Sequence, residues 1–321
     1  NNNVDRVFLK SEATQLIQEI DRIRNQTEWN GMSVLNGLFD SKSFQIGMDQ
    51  HDTVNVDIKD VGASAIGAYV VTGSGMVNQS ASAGSNGIAG NDITVRGHIG
   101  TKTLDVAAAN DAKDVVDLFN AVTKDTGVSA KAVTHARFGD VSSDTSISIK
   151  IGQQGNPSSL TTVTATVTTT DLTNLRDAIN AVSGDTGVTA SLLSGSAAAL
   201  LLKEADGNDI VLGDFDTSVS SATATVNAFN FTASGTSTGA ATNLTLTDGS
   251  TTDSATVSGE IKVLSDKHFN LGVTAAQYFG GSAATATTYN SSLSTVGNIN
   301  IGTQSGASQA LDVLDVAISM V

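Results

Sequence analysis

The sequence predicts an α+β protein of several domains, with a helix at each end and a β-rich region between them. Three observations support this fold class. The 321 residues suffice for two or three domains of ~100–200 residues each. Apolar residues recur at helical spacing near both ends, whereas residues 69–267 are rich in Ser, Thr and Gly with short β-prone runs. Part of this middle region is repeated.

The two terminal helices carry matching apolar patterns. Steps of four and three residues, the spacing of a coiled-coil seam, connect Leu9, Ala13, Leu16, Ile20 and Ile23, and likewise Ala307, Leu311, Leu314, Ile318 and Val321. Two interpretations are open: the seams pack on each other, or each helix docks separately on a local core, because so few heptads do not define a coiled coil. No Gly or Pro ends the second pattern, which predicts a longer natural helix and favours mutual packing.

A β-hairpin is predicted after the first helix. The pairs Asn30-Gly31 and Asn36-Gly37 suit type I′ turns, which need a positive φ at both central residues. Residues 43–47 and 53–58 then alternate apolar and polar side chains, as half-buried strands do.

The repeat in the middle region predicts two ββαβ units. Residues 120–130 and 180–190 are identical at eight of eleven positions. Each copy ends an amphipathic helix, over 112–122 and 172–182, that follows two strand-like segments; Gly127 and Gly187 suit a left-handed C-cap. Each unit is too small to bury its helix alone, so neighbouring strands such as 199–202 and 209–212 must join it.

Two further segments of the middle and C-terminal regions have predicted structures. Residues 220–263 read as strands, with a hairpin turn at Asp248-Gly249. Residues 280–288, nearly all small and polar, are predicted to form a loop.

The sequence offers little for catalysis, and no catalytic, cofactor-binding or metal-binding residue is predicted. It contains no Cys, its four His are scattered, and no phosphate-binding loop or nucleophile motif occurs. The acidic stretch 206–216 lacks EF-hand spacing and is interpreted as a turn flanked by solvated Asp. A net charge of −15 disfavours nucleic acid and anionic membranes as partners, and no apolar run is long enough to span a membrane.

Several segments resemble conserved parts of one known protein family. Residues 12–31 and 34–37 resemble the block in which a helix leads through a Thr-x-aromatic-Asn-Gly turn to Leu-Leu-x-Gly. Residues 44–47 and 54–58 are similar to the hairpin that follows it, and residues 308–319 to the C-terminal helix. The repeated unit resembles the flagellin inner repeat motif.

The resemblance implies an elongated, multi-domain structural protein without enzymatic activity. Residues 1–69 and 268–321 would form a discontinuous helical shell domain with its β-hairpin. Residues 70–267 would face outward, with subdomains at about 70–145 and 146–267. The chain would self-assemble into the extracellular flagellar filament for motility, and it would lack the outermost polymerising segments and the first long shell helix.

The resemblance also assigns residues and partners. Leu9, Leu16, Ile20 and Ile23 would pack against Leu311, Leu314 and Ile318. Asp21 and Arg22 would face neighbouring subunits, although a solvated charge pair is the simpler interpretation. Glu12 and Gln15 would belong to a surface sensed by a host Toll-like receptor. The export apparatus with its chaperone, and the cap and junction proteins, would be partners besides other subunits.

Two alternatives remain open. A surface adhesin or polysaccharide receptor could use the same scaffold, although aromatic residues make up only 4% of the chain and sugar sites stack on aromatic rings. A hook-filament junction protein shares the terminal helices, and the repeats favour a filament flagellin over it.

Overall fold

The computed structural model describes residues 3–49, 51–80, 86–154, 160–193, 196–231, 237–239, 243–274, 278–279 and 287–321. The helices are α1 (Asn3–Gln26), α2 (Ala112–Ala121), α3 (Thr123–Thr126), α4 (Thr173–Ala181), α5 (Ser183–Thr186) and α6 (Gln304–Met320), with a 3-10 turn at Val296–Asn298. The first strands are β1 (Glu28–Trp29), β2 (Met32–Ser33), β3 (Lys42–Gln45), β4 (Thr53–Val56), β5 (Gly67–Thr72), β6 (Val77–Ser80), β7 (Asn91–Arg96) and β8 (Thr101–Val106). The middle strands are β9 (Ser129–Gly139), β10 (Thr145–Gln153), β11 (Thr161–Val167), β12 (Val188–Leu193), β13 (Ser196–Glu204), β14 (Ile210–Thr217), β15 (Thr223–Phe231) and β16 (Ser237–Gly239). The last are β17 (Leu244–Thr247), β18 (Ser254–Val257), β19 (Glu260–Ser265), β20 (Asn270–Val273), β21 (Thr287–Asn290) and β22 (Ser292–Thr295).

Antiparallel strands form three larger sheets and two hairpins. Within the described residues, the sheet orders are β11-β10-β14-β18-β6, β21-β20-β7-β8 and β12-β13-β9-β19-β5-β22, the last extended by β15 to β17 through β9. The pairs β1-β2 and β3-β4 stand apart from these sheets. The long strand β9 pairs with β19 over residues 129–133 and with β13 over residues 134–139, so it runs through both halves of the β-rich region.

Three hydrophobic cores follow one another along the molecule. The terminal core combines Ile66, Ala68, Leu264, Val296, Val313 and Ala317. The middle core surrounds Phe119 of α2, and the outer core surrounds Phe138, Phe215 and Leu175. Few aromatic residues are available, so Val, Ile, Leu and Ala supply most of the burial in each core.

The two predicted ββαβ units are present with matching structures. The first comprises β7, β8, α2 and β9, and the second β10, β11, α4 and β12. Gly127 and Gly187 end the short helices α3 and α5 with φ of 74° and 69°, as expected for left-handed caps. The predicted neighbouring strands also join, since β13 pairs with β12 and β14 pairs with β10.

The structure corrects several details of the sequence analysis. Asp248-Gly249 is a turn, but β17 pairs with β15 whereas β18 pairs with β14 and β6, so the turn passes the chain between sheets instead of closing a hairpin. Asn30 and Gly31 have the positive φ of a type I′ turn, whereas in the second pair only Gly37 does. Residues 280–286 of the predicted loop lie outside the described residues, and Thr287 and Thr288 belong to β21.

The cores also bear on the predicted domain limits. Residues 269–279 contribute Phe269, Leu271, Val273, Tyr278 and Phe279 to the middle core rather than to the terminal one. Strand β20, which holds Leu271 and Val273, pairs with β7 of the first repeat unit. The limit between residues 267 and 268 therefore does not coincide with a boundary between cores.

Candidate assembly surface

Helix α6 docks on the terminal core through its smaller apolar side chains. Ala310, Val313 and Ala317 are buried, and the helix lies against β5. Thr303 starts the helix, because its side chain accepts a hydrogen bond from the Gly306 N–H at 3.0 Å. An adjacent face of the helix leaves Leu311 and Ile318 62% and 75% exposed.

Two lysines from the sheet fix the position of α6. The Lys131 and Lys262 ammonium groups each donate to Asp312 at 2.8 Å, on different carboxylate oxygens, and Lys131 lies 3.5 Å from Asp315. Asp312 and Lys262 are mostly buried, whereas Lys131 is exposed. This cluster sets the helix rotation that buries Val313, and local sequence patterns gave no sign of it because the partners are distant in the chain.

Helix α1 contacts the terminal core through only part of one face. Ile17 and Ile20 pack there, and the Asp21 carboxylate accepts a hydrogen bond from the Ala63 N–H at 2.9 Å. Arg24 forms two hydrogen bonds with Asp60, at 2.6 and 2.7 Å, and this side-chain hydrogen bonding lowers the pKa of the Asp60 carboxyl. These contacts anchor the C-terminal half of α1.

The remaining apolar side chains of α1 are exposed. They are Val7, Phe8, Leu9, Leu16 and Ile23. An exposed apolar patch of this kind marks an interaction surface more often than a free surface.

The predicted mutual packing of the two seams is not what the structure has. Of the seven seam residues that were predicted to pack together, only Ile20 and Leu314 pack on the terminal core, while Leu9, Leu16, Ile23, Leu311 and Ile318 are exposed. The α6 sequence carries two adjacent apolar stripes, and the sheet takes the one with Ala310, Val313 and Ala317 because small side chains let a helix lie close to a sheet. The side chains of these five seam residues are exposed, so they can pack against a surface outside the described residues.

The other predicted surface residues are placed as follows. Arg22 donates to the Glu19 carboxylate of its own helix at 2.7 Å on an exposed face, so its partner there is Glu19 and not the Asp21 of the predicted charge pair. Asp21 faces inward to Ala63, so its predicted position on an outer face is corrected. Glu12 and Gln15 are exposed. Their separation of three residues places them side by side on the helix surface.

A second apolar surface surrounds the hairpin of β3 and β4. The rings of Trp29, Phe39 and Phe44 form a cluster with centroid distances of 6.2 to 6.5 Å. Phe39 is buried, but Leu38, Ile46 and Met48 around the cluster project into solvent. We call Trp29, Leu38, Phe44, Ile46 and Met48 the hairpin patch. Sequence reasoning missed this surface, although the density of aromatics in residues 29–44 of an aromatic-poor chain was a signal.

Two other kinds of site are absent from the described residues. No group of three or more His, Asp or Glu in the described part of the chain could hold a metal ion. None of the described helices is long and apolar enough to cross a membrane.

Comparisons with known proteins agree on one class. The Flagellin hook IN motif matches residues 146–206, which contain the second repeat unit. The B-type flagellin of Pseudomonas aeruginosa is 27% identical over 327 aligned positions, covering 100% of this chain and 63% of the relative. Flagellin D of Vibrio cholerae is 31% identical over 127 residues, covering 38% of this chain and 34% of the relative. The chain thus spans less than two thirds of the length of these relatives.

A solved structure also aligns, at low similarity. The D2-D3 domains of the flagellar cap protein FliD from Escherichia coli match with a TM-score of 0.19 and 14% identity, over 62% of this chain and 98% of that one. A score this low supports no argument about the fold or its role.

The matches agree on the class first: the chain is similar to structural proteins of the bacterial flagellum. Within that class the matched motif and the matched relatives are flagellins, so the chain is similar to the flagellins. The motif match covers the second repeat unit alone.

Proposed function

We propose that this chain is a subunit of the extracellular flagellar filament and that it assembles through the exposed faces of α1 and α6 and the hairpin patch. The observation that carries the proposal is the exposure of Leu9, Leu16, Leu311 and Ile318 on two helices at the same end of the molecule. Burying each such side chain contributes about 1.5–3 kcal/mol. A few of them buried per contact would stabilise an assembly substantially.

The two repeat units would face away from the assembly surface. They have cores of their own, separate from the terminal core that holds α1 and α6. Other subunits are the principal partners in this proposal. Secretion through the flagellar export apparatus with a chaperone, contact with cap and junction proteins, and sensing by a host Toll-like receptor near Glu12 and Gln15 belong to it as expectations from the family. The flagellin matches do not favour the adhesin or the junction protein.

The test places this chain within a full-length relative. Residues 1–321 would replace the aligned region of the P. aeruginosa B-type flagellin, and the chimera would be expressed in a flagellin-deficient strain. We expect secreted chimera and filaments visible by electron microscopy, and a Leu16→Asp chimera that folds and is secreted but forms none. A secreted, folded chimera without filaments, or a Leu16→Asp chimera that polymerises normally, would count against the proposal. The unaltered B-type flagellin is the control.

A further inference from the structure

A fully buried carboxyl lies where the two repeat units meet. Asp209 immediately precedes β14 of the outer core, and none of its surface is exposed. Its Oδ2 accepts a hydrogen bond from Asn86 Nδ2 at 2.7 Å. Its Oδ1 is also buried and has no hydrogen-bond partner among the described residues. The interpretation of Asp209 as a solvated turn residue is therefore wrong.

The groups around Asp209 come from both units. Asn86, next to the middle core, also donates to the carbonyls of Ala109 and Asn110, at 3.4 and 3.0 Å, just before α2. Gln154 follows β10 of the outer unit, and its amide side chain donates to the same Ala109 carbonyl at 3.4 Å. Its N–H donates to the Asp209 carbonyl at 3.0 Å. We call Asn86, Ala109, Asn110, Gln154 and Asp209 the unit joint.

Further contacts extend the joint to α2. The Lys113 N–H, in the first turn of α2, donates to the Gly207 carbonyl at 3.1 Å. The Tyr278 hydroxyl donates to the Asn110 carbonyl at 2.6 Å. Opening the joint would therefore separate the start of α2 from the turn at residues 204–209, while β9 would keep the units connected.

A neighbouring carboxylate shows what Asp209 lacks. Glu204 is also buried, but its oxygens accept from the N–H groups of residues 206, 207 and 208 and from the side chains of Gln153 and Asn208. Such donors compensate a buried negative charge. Among the described residues the Asp209 carboxyl receives one donor, so burying it as an anion would be costly.

The charges that act on Asp209 favour its neutral form. Burial raises the pKa of Asp209 to about 8; the Asn86 hydrogen bond opposes this, while the negative charges of Asp111, Asp114 and Glu204 raise it further. The cation of the same helix turn, Lys113, is paired with Asp117. Burial likewise raises the pKa of Tyr278, so its hydroxyl stays a donor. For Asp111, burial raises the pKa to about 6.

We propose that the unit joint is a proton-dependent latch: it is closed with a neutral Asp209, and its opening exposes this carboxyl to water and releases its proton. In the open joint Asp209 behaves as an ordinary carboxyl and ionises. The open fraction consequently grows as the pH rises, and the two units are coupled most tightly in acid. This device is independent of the assembly role proposed above.

Amide hydrogen exchange tests the latch. The reporters are the amides of Ile88, Lys113 and Gln154, which donate within the joint, and the reference is the β10-β11 ladder. After correction for intrinsic exchange, we expect protection of the reporters to fall about tenfold per pH unit between about pH 6.5 and 8, because one proton is released on opening. An Asp209→Asn variant should show no slope, whereas Asp206→Asn, an exposed acid of the same turn, should keep that of the wild type.

Three results would overturn the latch. They are a flat wild-type profile, a slope that persists in Asp209→Asn, and reporter protection equal to that of the β10-β11 ladder at every pH, which would mean that the joint opens only on global unfolding. If Asp209→Asn fails to fold, the wild-type side-chain carboxyl of Asp209 can be titrated by carbon NMR. A midpoint near pH 8 supports the latch, and a midpoint below about pH 5 contradicts it.

Discussion

Asn120 and Asn180, sixty positions apart, make the same pair of hydrogen bonds to the residue ten positions later. Asn120 donates from Nδ2 to the Ala130 carbonyl at 3.1 Å and accepts from its N–H at 3.0 Å. Asn180 does the same with Ala190, at 2.8 Å in both bonds. Each asparagine ties the end of a helix to the strand that follows it, which explains why both copies of the repeat have Asn there.

We therefore expect Asn120→Ala and Asn180→Ala each to lower the free energy of unfolding by about 1–3 kcal/mol, because each leaves backbone groups of a partly buried strand without a partner. Urea titration monitored by circular dichroism measures the change. Asn174→Ala is the matched control, since its single bond to the Thr166 carbonyl is exposed, and it should cost less than about 0.5 kcal/mol. Equal losses in all three variants would contradict this role for the two asparagines.

The repeat units could be predicted from sequence because their determinants are local. Gly127, Gly187 and the two asparagines act within about ten residues of their partners, so composition and spacing identify them. The buried side of α6 could not be predicted in this way, because both of its apolar stripes have helical spacing. The choice between them depends on the sheet and on Lys262, which are distant in the sequence. The burial of Asp209 depends on Asn86, which is 123 residues away in the chain, so the local sequence of the Asp-rich turn could not predict it.

The two lysines that bind Asp312 under α6 should contribute unequally to the free energy of unfolding. Lys262→Met removes the buried partner of Asp312, and we expect it to lower the free energy of unfolding by about 1–3 kcal/mol, since it leaves a mostly buried carboxylate poorly paired. Lys131→Met removes an ammonium that is more than half exposed, so its cost should stay below about 1 kcal/mol. Urea denaturation of both variants in the same buffer decides this, and a larger loss for Lys131→Met would refute the assigned roles.

The free energy of unfolding of the whole chain should depend on pH because of Asp209. Burial raises the pKa of this carboxyl from 3.8 to about 8, so between these values the folded chain holds a proton that the unfolded chain has lost. The free energy of unfolding must then fall as the pH rises through this window and level off above about pH 8. Asp209→Asn should flatten the curve between about pH 6.5 and 8 in urea titrations. That range lies above the folded-state pKa values of Asp111 and His135, which burial moves to about 6 and about 4. A parallel decline in variant and wild type would exclude Asp209 as its cause.

Asp140 should show the opposite dependence. Hydrogen bonds from Arg137 and then from Thr225 lower the pKa of this carboxyl to about 2. Its stabilising contribution is present above pH 3.8 and is lost as the pH falls toward 2. Asp140→Asn should therefore be less stable than the wild type near neutral pH, and this difference should shrink toward about pH 2. Thermal melts over this range measure it, and a constant difference would disprove the pairing. The carboxylate is exposed, so a small effect is expected.

The two stripes of α6 can be separated by a matched pair of substitutions. Val313→Asp places a charge in the terminal core and should cost several kcal/mol or detach the helix, because an unpaired buried charge is strongly unfavourable. Leu311→Asp, two residues earlier and exposed, should change the free energy of unfolding by less than about 0.5 kcal/mol. In the chimera with the B-type flagellin, however, Leu311→Asp should abolish filaments, because it puts a charge into the proposed contact. If Leu311→Asp unfolds the helix as Val313→Asp does, the docked face is misassigned; if it folds and still supports filaments, Leu311 lies outside the assembly surface.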